Sequence, residues 1–207
     1  LLSLSLAFLC PLAMAATADL ETVAQKSDFK RTGHYDEVIR LCADFAKRYP
    51  DAVRCFEFGR SPQGRPMMAL VITRSGALTA SAAREVELPV LLIQGGIHAG
   101  EIDGKDAGFL ALRETLDGRV AKGSLDKQVI VFVPVFNVDG HERFKAWNRP
   151  NQRGPEEMGW RTTAQNLNLN RDYVKADAPE MQAWLKLWND WQPDLLIDLH
   201  NTNGADY

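Results

Sequence analysis

The sequence lacks several features that would assign it to a class of protein at once. Its 24 Lys and Arg residues are outnumbered by 27 Asp and Glu residues, which gives a formal net charge of −3 at pH 7. Without a basic excess, the composition gives no support for nucleic-acid binding. Beyond the N-terminus no apolar run is long enough to cross a bilayer, and no internal repeat or low-complexity segment occurs. What is present is a chain of 207 residues with 45% hydrophobic residues, which is ordinary for one globular domain.

The N-terminus carries the one conspicuous apolar run. Residues 1–15 have the sequence LLSLSLAFLCPLAMA, typical of the apolar region of a secretory signal with an A-x-A cleavage site at its end. We therefore predict a signal peptide over residues 1–15 and one domain over residues 16–207. The expected location is secreted or periplasmic, with no stable membrane anchor. A membrane anchor is the alternative, although the run is short for it.

Cysteine is scarce, with three residues in the chain. If Cys10 is removed with the signal peptide, Cys42 and Cys55 remain. Export permits these two to form a disulfide. Two buried free thiols are equally compatible with the sequence.

Apolar patterning predicts an α/β fold with a mixed, largely parallel central sheet flanked by helices. Residues 17–34 are expected to form an N-terminal arm, and the polar segment 137–177 is long enough to be a functional loop. We expect the C-terminal part of the sheet to be missing. Helices are predicted at residues 35–49, 103–116 and 179–191, and strands at 53–58, 67–73, 89–94, 129–135 and 195–199.

Candidate metal ligands follow two of the predicted buried strands. His98 and Glu101 lie in the segment GGIHAGE after the strand at 89–94, and His200 follows the strand at 195–199. Ligands in α/β sheets bind beyond the carboxyl ends of strands, so these side chains are expected to meet. Two His and one Glu are a typical ligand set of a hydrolytic zinc site. Alternatively, Glu101 stabilises the start of the next helix, and His200 is a hydrogen-bonded loop residue. The two other histidines, His34 and His141, are predicted to be ordinary surface or loop residues.

Four blocks in this order resemble the zinc carboxypeptidases of the carboxypeptidase A type, the M14 peptidase family. They are GIHAGE at residues 96–101, PVFNVDG at 134–140, NLNRD at 168–172 and LIDLH at 196–200. The resemblance implies one Zn²⁺ bound by His98, Glu101 and His200. It also implies that Asn170 and Arg171 bind the C-terminal carboxylate of a peptide substrate, for which an Arg fork is well suited.

The resemblance further implies an arginine that polarises the scissile carbonyl and a side chain that orients a zinc-bound histidine. Arg149 fits the arginine position best, and Arg161 is the competitor. Asn168 stands where the family often has Asp, and a neutral amide raises the basicity of a metal ligand less than a carboxylate does.

The general base of the family is not identifiable in this chain. In the family it is a Glu far downstream of the third zinc ligand, whereas this chain ends at Tyr207. Glu156 and Glu157 lie in the long loop with nothing to mark them as the base. The sequence therefore reads as an N-terminal fragment of a longer protein, inactive by itself as a peptidase.

Three functions remain open at this point. The first is a secreted zinc carboxypeptidase that hydrolyses C-terminal peptide bonds with a zinc-activated water. The second is a zinc-dependent N-acyl amino acid deacylase of the aspartoacylase and succinylglutamate desuccinylase type, because residues 198–202 (DLHNT) resemble its third-ligand segment. The third is a non-catalytic domain that binds peptide C-termini.

Overall fold

The computed structural model describes residues 19–150 and 152–201; the predicted signal peptide, residues 1–15, lies outside them. The helices are α1 (Val23–Lys26), α2 (Tyr35–Arg48), α3 (Ala80–Glu85), α4 (Asp103–Leu116), α5 (Val138–His141) and α6 (Pro179–Trp191). The strands are β1 (Val53–Arg60), β2 (Pro66–Ile72), β3 (Val90–Gly95), β4 (Val129–Val133) and β5 (Leu195–Leu199). Two 3₁₀ turns cover Ser124–Asp126 and Leu169–Arg171.

The five strands form one mixed sheet in the order β1-β2-β4-β3-β5. β1 and β2 form an antiparallel hairpin, and β2 is also antiparallel to β4. β3 pairs in parallel with both β4 and β5. The α/β fold with a mixed central sheet is therefore confirmed, and its parallel half is the part made of β4, β3 and β5.

Helices cover both faces of the sheet. In β1, successive side chains point to opposite faces, and Cys55 contacts α2 whereas Phe56 packs near Trp191 of α6. On the α2 face, the rings of Phe45 and Phe109 stack with centroids 5.7 Å apart, so α2 and α4 share one layer of the core. The central strand β4 is buried along its whole length, as expected for a strand covered on both faces.

The disulfide question is answered by the structure. Cys42 of α2 and Cys55 of β1 are joined in a disulfide, with their Cα atoms 5.3 Å apart. Cys42 is fully buried, so the bond ties α2 to the edge of the sheet from inside the core. The alternative of two free thiols is excluded.

Within the described ranges, no helix combines the length and the apolar character needed to cross a membrane.

Candidate metal centre

The parallel pairing of β3 and β5 brings the predicted ligands together. Gly95, the last residue of β3, lies in register with Leu199, the last residue of β5. His200 follows Leu199 directly, and His98 lies three residues after Gly95. The segments after β3 and β5 therefore leave the sheet at the same edge. The segments that follow β3 and β5 therefore meet, because these two neighbouring parallel strands end at the same edge of the sheet.

The loop between β3 and α4 needs glycine at two positions for different reasons. Gly96 has a φ of +64°, in the left-handed region that side chains rarely adopt. A Cβ on Gly100 would lie 2.6 Å from the carbonyl oxygen of Gly159 and 3.0 Å from Cγ of Arg149. Because Gly100 has no side chain, the long loop can pack directly against the backbone just before Glu101.

Three donor atoms converge at this edge. Nδ1 of His98 lies 2.9 Å from Oε1 of Glu101, and Nδ1 of His200 lies 3.0 Å from Oε2 of Glu101. One ligand atom from each residue lies within 4.8 Å of the others. Tetrahedral zinc with bonds of about 2.05 Å would separate its ligand atoms by about 3.3 Å, so small shifts bring these atoms into its coordination sphere. The donor set and its spacing fit Zn²⁺ with one position left open.

Four groups surround the carboxylate of Glu101, which is 2% exposed. Oε1 faces His98 and, at 3.0 Å, Nη2 of Arg149. Oε2 faces His200 and accepts a hydrogen bond of 3.0 Å from the backbone N–H of Asn201. Burial opposes ionisation, but hydrogen bonds from His98 and Asn201 together with the charges of His98 and Arg149 lower the pKa of Glu101 to about 2. The carboxylate is therefore ionised, as a metal ligand must be.

Asp198 is a site residue that the sequence analysis did not single out. Its Oδ2 lies 3.0 Å from Nε2 of His200, on the side of the ring away from Nδ1. A carboxylate that accepts from the far nitrogen of a ligating histidine fixes the orientation of the ring. The signal was available, because residues two apart on a strand point to the same face and Asp198 stands two before His200.

The other candidate histidine ligand, His98, has a different environment. Nε2 of His98 is buried without a hydrogen-bond partner among the described residues. The side-chain oxygen of Asn168 accepts from the backbone N–H of Asn170 and so caps the 3₁₀ turn. The orienting role of Asn168 toward a zinc-bound histidine stays a prediction.

Two arginines, Arg149 and Arg161, lie near the carboxylate of Glu101. Arg149 is 7% exposed and is held by Glu101 and by a bond from its Nε to Oε1 of Gln152. The side chain of Arg161 is partly buried and makes no hydrogen bond or ion pair among the described residues. Burial, together with the charges of Arg149 and Arg171, lowers the pKa of Arg161, whereas Glu101 opposes this shift. Arg161 is therefore a cation without a fixed partner at the edge of the metal centre.

Asn170 and Arg171 belong to the 3₁₀ turn Leu169–Arg171. Arg171 is exposed, and its Nη1 donates to the carbonyl oxygen of Asn170 at 2.8 Å. Arg171 is near enough to Arg161 for the two charges to influence one another. The turn therefore exposes the guanidinium of Arg171 to solvent, close to Arg161.

The prediction that His141 is an ordinary surface or loop residue was wrong. His141 ends the short helix α5 and is 1% exposed, with its Nε2 3.2 Å from the carbonyl oxygen of Gly33 and its Nδ1 3.5 Å from that of Ala99. Burial, together with the charge of Lys105, lowers the pKa of His141 to about 3. It is a neutral core residue that links the N-terminal segment to the metal loop, a role that depends on tertiary contacts invisible in the local sequence.

Glu156 and Glu157 lie away from the ligands. Both line a separate cavity of about 610 Å³ that also includes Lys26 and His34. The backbone N–H of Glu156 donates to the carbonyl oxygen of Lys30 at 2.9 Å, so this part of the loop is fixed to the N-terminal segment. Neither carboxylate makes a hydrogen bond or ion pair with His98, Glu101 or His200 in the described part of the chain.

Comparison with known proteins adds independent information. A model of the zinc carboxypeptidase family, M14 peptidases, matches residues 38–205. Human carboxypeptidase Z is 27% identical over 155 residues, which cover 70% of this chain and 22% of that protein. Carboxypeptidase D of Drosophila melanogaster is 26% identical over 159 residues, covering 73% of this chain and 11% of that protein. The chain thus spans less than a quarter of the length of these relatives.

Solved structures share the fold. The metallo-carboxypeptidase from Burkholderia cenocepacia is 20% identical and superposes with a TM-score of 0.60, covering 83% of this chain and 42% of that one. At this identity the likeness concerns the fold alone.

Proposed function

The chain belongs to the zinc carboxypeptidase family, and on that premise we propose that it is a metallocarboxypeptidase domain that acts on peptides with a free C-terminal carboxylate. His98, Glu101 and His200 would hold one Zn²⁺. The observation that carries this proposal is the convergence of their donor atoms at the ends of two parallel strands. Zn²⁺, when bound, supplies a Lewis acid that polarises a peptide carbonyl and lowers the pKa of water at its open position to about 7.

The surrounding residues hold the ligands in place. Asp198 accepts from Nε2 of His200 and so fixes the ring with Nδ1 toward the metal position. Arg149 and the backbone N–H of Asn201 each occupy one oxygen of Glu101. When both histidines turn their Nδ1 atoms to a metal, the ion pair with Arg149 and the hydrogen bond from Asn201 would remain and hold the carboxylate in place.

Substrate binding would rest on the turn that carries Asn170 and Arg171. A C-terminal carboxylate can form paired, charge-assisted hydrogen bonds with the guanidinium of Arg171, and the amide of Asn170 adds a donor. The exposure of Arg171 supports this role, because its guanidinium is accessible from solvent.

Arg161, rather than Arg149, is the better candidate to polarise the scissile carbonyl. Arg149 is buried against Glu101 and Gln152, so moving it to a substrate would leave a buried carboxylate without its cation. Arg161 is free of such partners in the described part of the chain and lies within electrostatic reach of Glu101.

A general base is the part of the machinery that the described residues do not provide. Among them, the acidic side chains that contact the ligand set are Glu101 itself and Asp198, and each is committed to a histidine. We therefore propose that the chain by itself binds zinc and peptide termini but does not turn over peptides. Chelator-sensitive hydrolysis of a C-terminally free peptide by the purified chain would contradict this.

An extracellular or periplasmic location is part of the proposal. The apolar residues 1–15 and the disulfide between Cys42 and Cys55 both favour export, because disulfides persist in oxidising compartments.

Peptide binding can be tested with the zinc-loaded chain and two fluorescent peptides that differ only in a C-terminal acid or amide. We expect the acid to bind roughly 10- to 100-fold more tightly, the effect of a charge-assisted hydrogen-bonded pair. Arg171→Met should abolish the preference, whereas Lys175→Met, which removes an exposed cation nearby, should leave it intact. Equal binding of the acid and amide by the wild type would refute the proposed substrate class. Hydrolysis of N-acetyl-aspartate would favour the deacylase instead.

A further inference from the structure

An open cleft of about 850 Å³ lies directly beside the metal centre. Gly100 and Ile102, which flank the ligand Glu101, line it, and so does Asn201, which follows the ligand His200. The opposite wall comes from the long loop, including Arg149 and Arg153. The cleft therefore lies next to two of the three candidate ligands, Glu101 and His200.

Phe29 lines the same cleft from the N-terminal segment, with 66% of its surface exposed. Its φ is +59°, and that of Asp28 before it is +55°. A bulky residue in this left-handed region costs on the order of 1 kcal/mol or more and is rare. The backbone thus holds an aromatic ring in solvent at the cleft, in a conformation that the residue itself disfavours.

Hydrogen bonds hold the segment that carries Phe29. The backbone N–H of Phe29 donates to the carbonyl oxygen of Ala24 at 2.7 Å. The next residue, Lys30, accepts a backbone hydrogen bond of 2.9 Å from Glu156 in the long loop. Three residues after Phe29, the hydroxyl of Thr32 donates to Oδ2 of buried Asp106 at 2.7 Å. These contacts tie the segment to the long loop and to α4, so the backbone around Phe29 is held beside the cleft.

We propose that this cleft binds the residues of a peptide substrate that precede the scissile bond, and that Phe29 contacts an apolar side chain among them. This rests on the proposed function: Asn170 and Arg171, which would hold the terminal carboxylate, do not line the cleft, so it is available to the preceding residues. The amide of Asn201 and the guanidinium of Arg153 are donors for peptide carbonyl groups along the same path. The ligand class is an extended peptide longer than two residues with an apolar side chain upstream.

The test compares two N-acetylated peptide acids that share their last two residues, a dipeptide and a tetrapeptide with two leucines upstream. Affinity for the zinc-loaded chain is measured by calorimetry. We expect the tetrapeptide to bind wild-type protein roughly 10-fold more tightly, the effect of burying part of an aromatic ring and its partner. Phe29→Ala should remove most of this advantage without changing dipeptide affinity, and Phe29→Leu should retain part of it.

Val120→Ala is the matched control, because Val120 is an exposed apolar residue that does not line the cleft. It should leave both affinities unchanged. If the dipeptide binds and Phe29→Ala leaves the tetrapeptide advantage intact, the role of Phe29 is refuted and the proposed function stands. If Phe29→Ala weakens both peptides equally, the effect is not that of an upstream subsite, and the inference fails. If neither peptide acid binds the wild type, the proposed function itself fails.

Discussion

Among single residues, Glu101 has the most demanding environment, since it must stay ionised while almost completely buried. His98 and the guanidinium of Arg149, which forms an ion pair, face one oxygen of this carboxylate. His200 and the backbone N–H of Asn201 face the other. A buried carboxylate that loses such a partner is strongly destabilised. The geometry of the metal centre therefore depends on a residue, Arg149, that lies 48 positions away in sequence.

The two arginines near Glu101 can be separated by measuring zinc affinity against a competing chelator. Arg149→Met should weaken zinc binding by roughly 10- to 100-fold, the usual effect of losing a group that orients a ligand. Arg161→Met should leave zinc affinity unchanged but weaken binding of a phosphonate peptide analogue, whose negative oxygen resembles the developing oxyanion. The opposite pattern would assign the carbonyl-polarising role to Arg149, as the sequence analysis first expected.

At the scale of single residues, the sequence could predict which side chains lie together at the ends of strands. His98, Glu101 and His200 each follow a recognisable buried strand, so the meeting of their side chains could be expected. The pairing of Arg149 with Glu101 could not be predicted, because it depends on how a loop of some forty residues packs against the segment that carries Glu101. The burial of His141 was missed for the same reason: its partner is the backbone of Gly33, on a segment whose position no local pattern indicates.

Among elements, the bond between α2 and β1 gives the clearest prediction. The disulfide closes a loop with a sequence separation of 13, for which loop-closure entropy corresponds to about 3 kcal/mol of stability. Urea unfolding of wild-type protein and of the double variant Cys42→Ala/Cys55→Ala should therefore differ by about this amount. Zinc content should not change, because β1 lies at the opposite edge of the sheet from β5. Equal stability of oxidised and reduced wild-type protein would contradict this account.

The predicted elements agree with the structure where periodicity is strong. The strands β1 to β5 and the helices α2, α4 and α6 occur at the expected positions, with ends that differ by a residue or two. The short helices α1, α3 and α5 were not predicted. α3 has one buried residue, Ala83, and α1 has one, Ala24, so neither carries an apolar stripe that a pattern could reveal.

For the whole molecule, the parallel half of the sheet explains why the candidate metal ligands lie together. β3 lies between β4 and β5, and the chain returns to it only after the long loop and α6. That loop brings Arg149 and Arg161 near Glu101, and it carries the turn with Asn170 and Arg171. The order of the strands was not predicted from the sequence, since alternating helices and strands are compatible with several arrangements.

The central claim is that one zinc ion binds at His98, Glu101 and His200. The most direct test is the zinc content of the purified chain by mass spectrometry, combined with X-ray absorption spectroscopy at the zinc edge. We predict one zinc per chain with nitrogen and oxygen ligands at about 2.0 to 2.2 Å and no sulfur. His200→Ala and Glu101→Gln should each lose most of the metal, and His34→Ala should retain it. Absence of zinc from the wild type, or full retention in His200→Ala, would contradict the account.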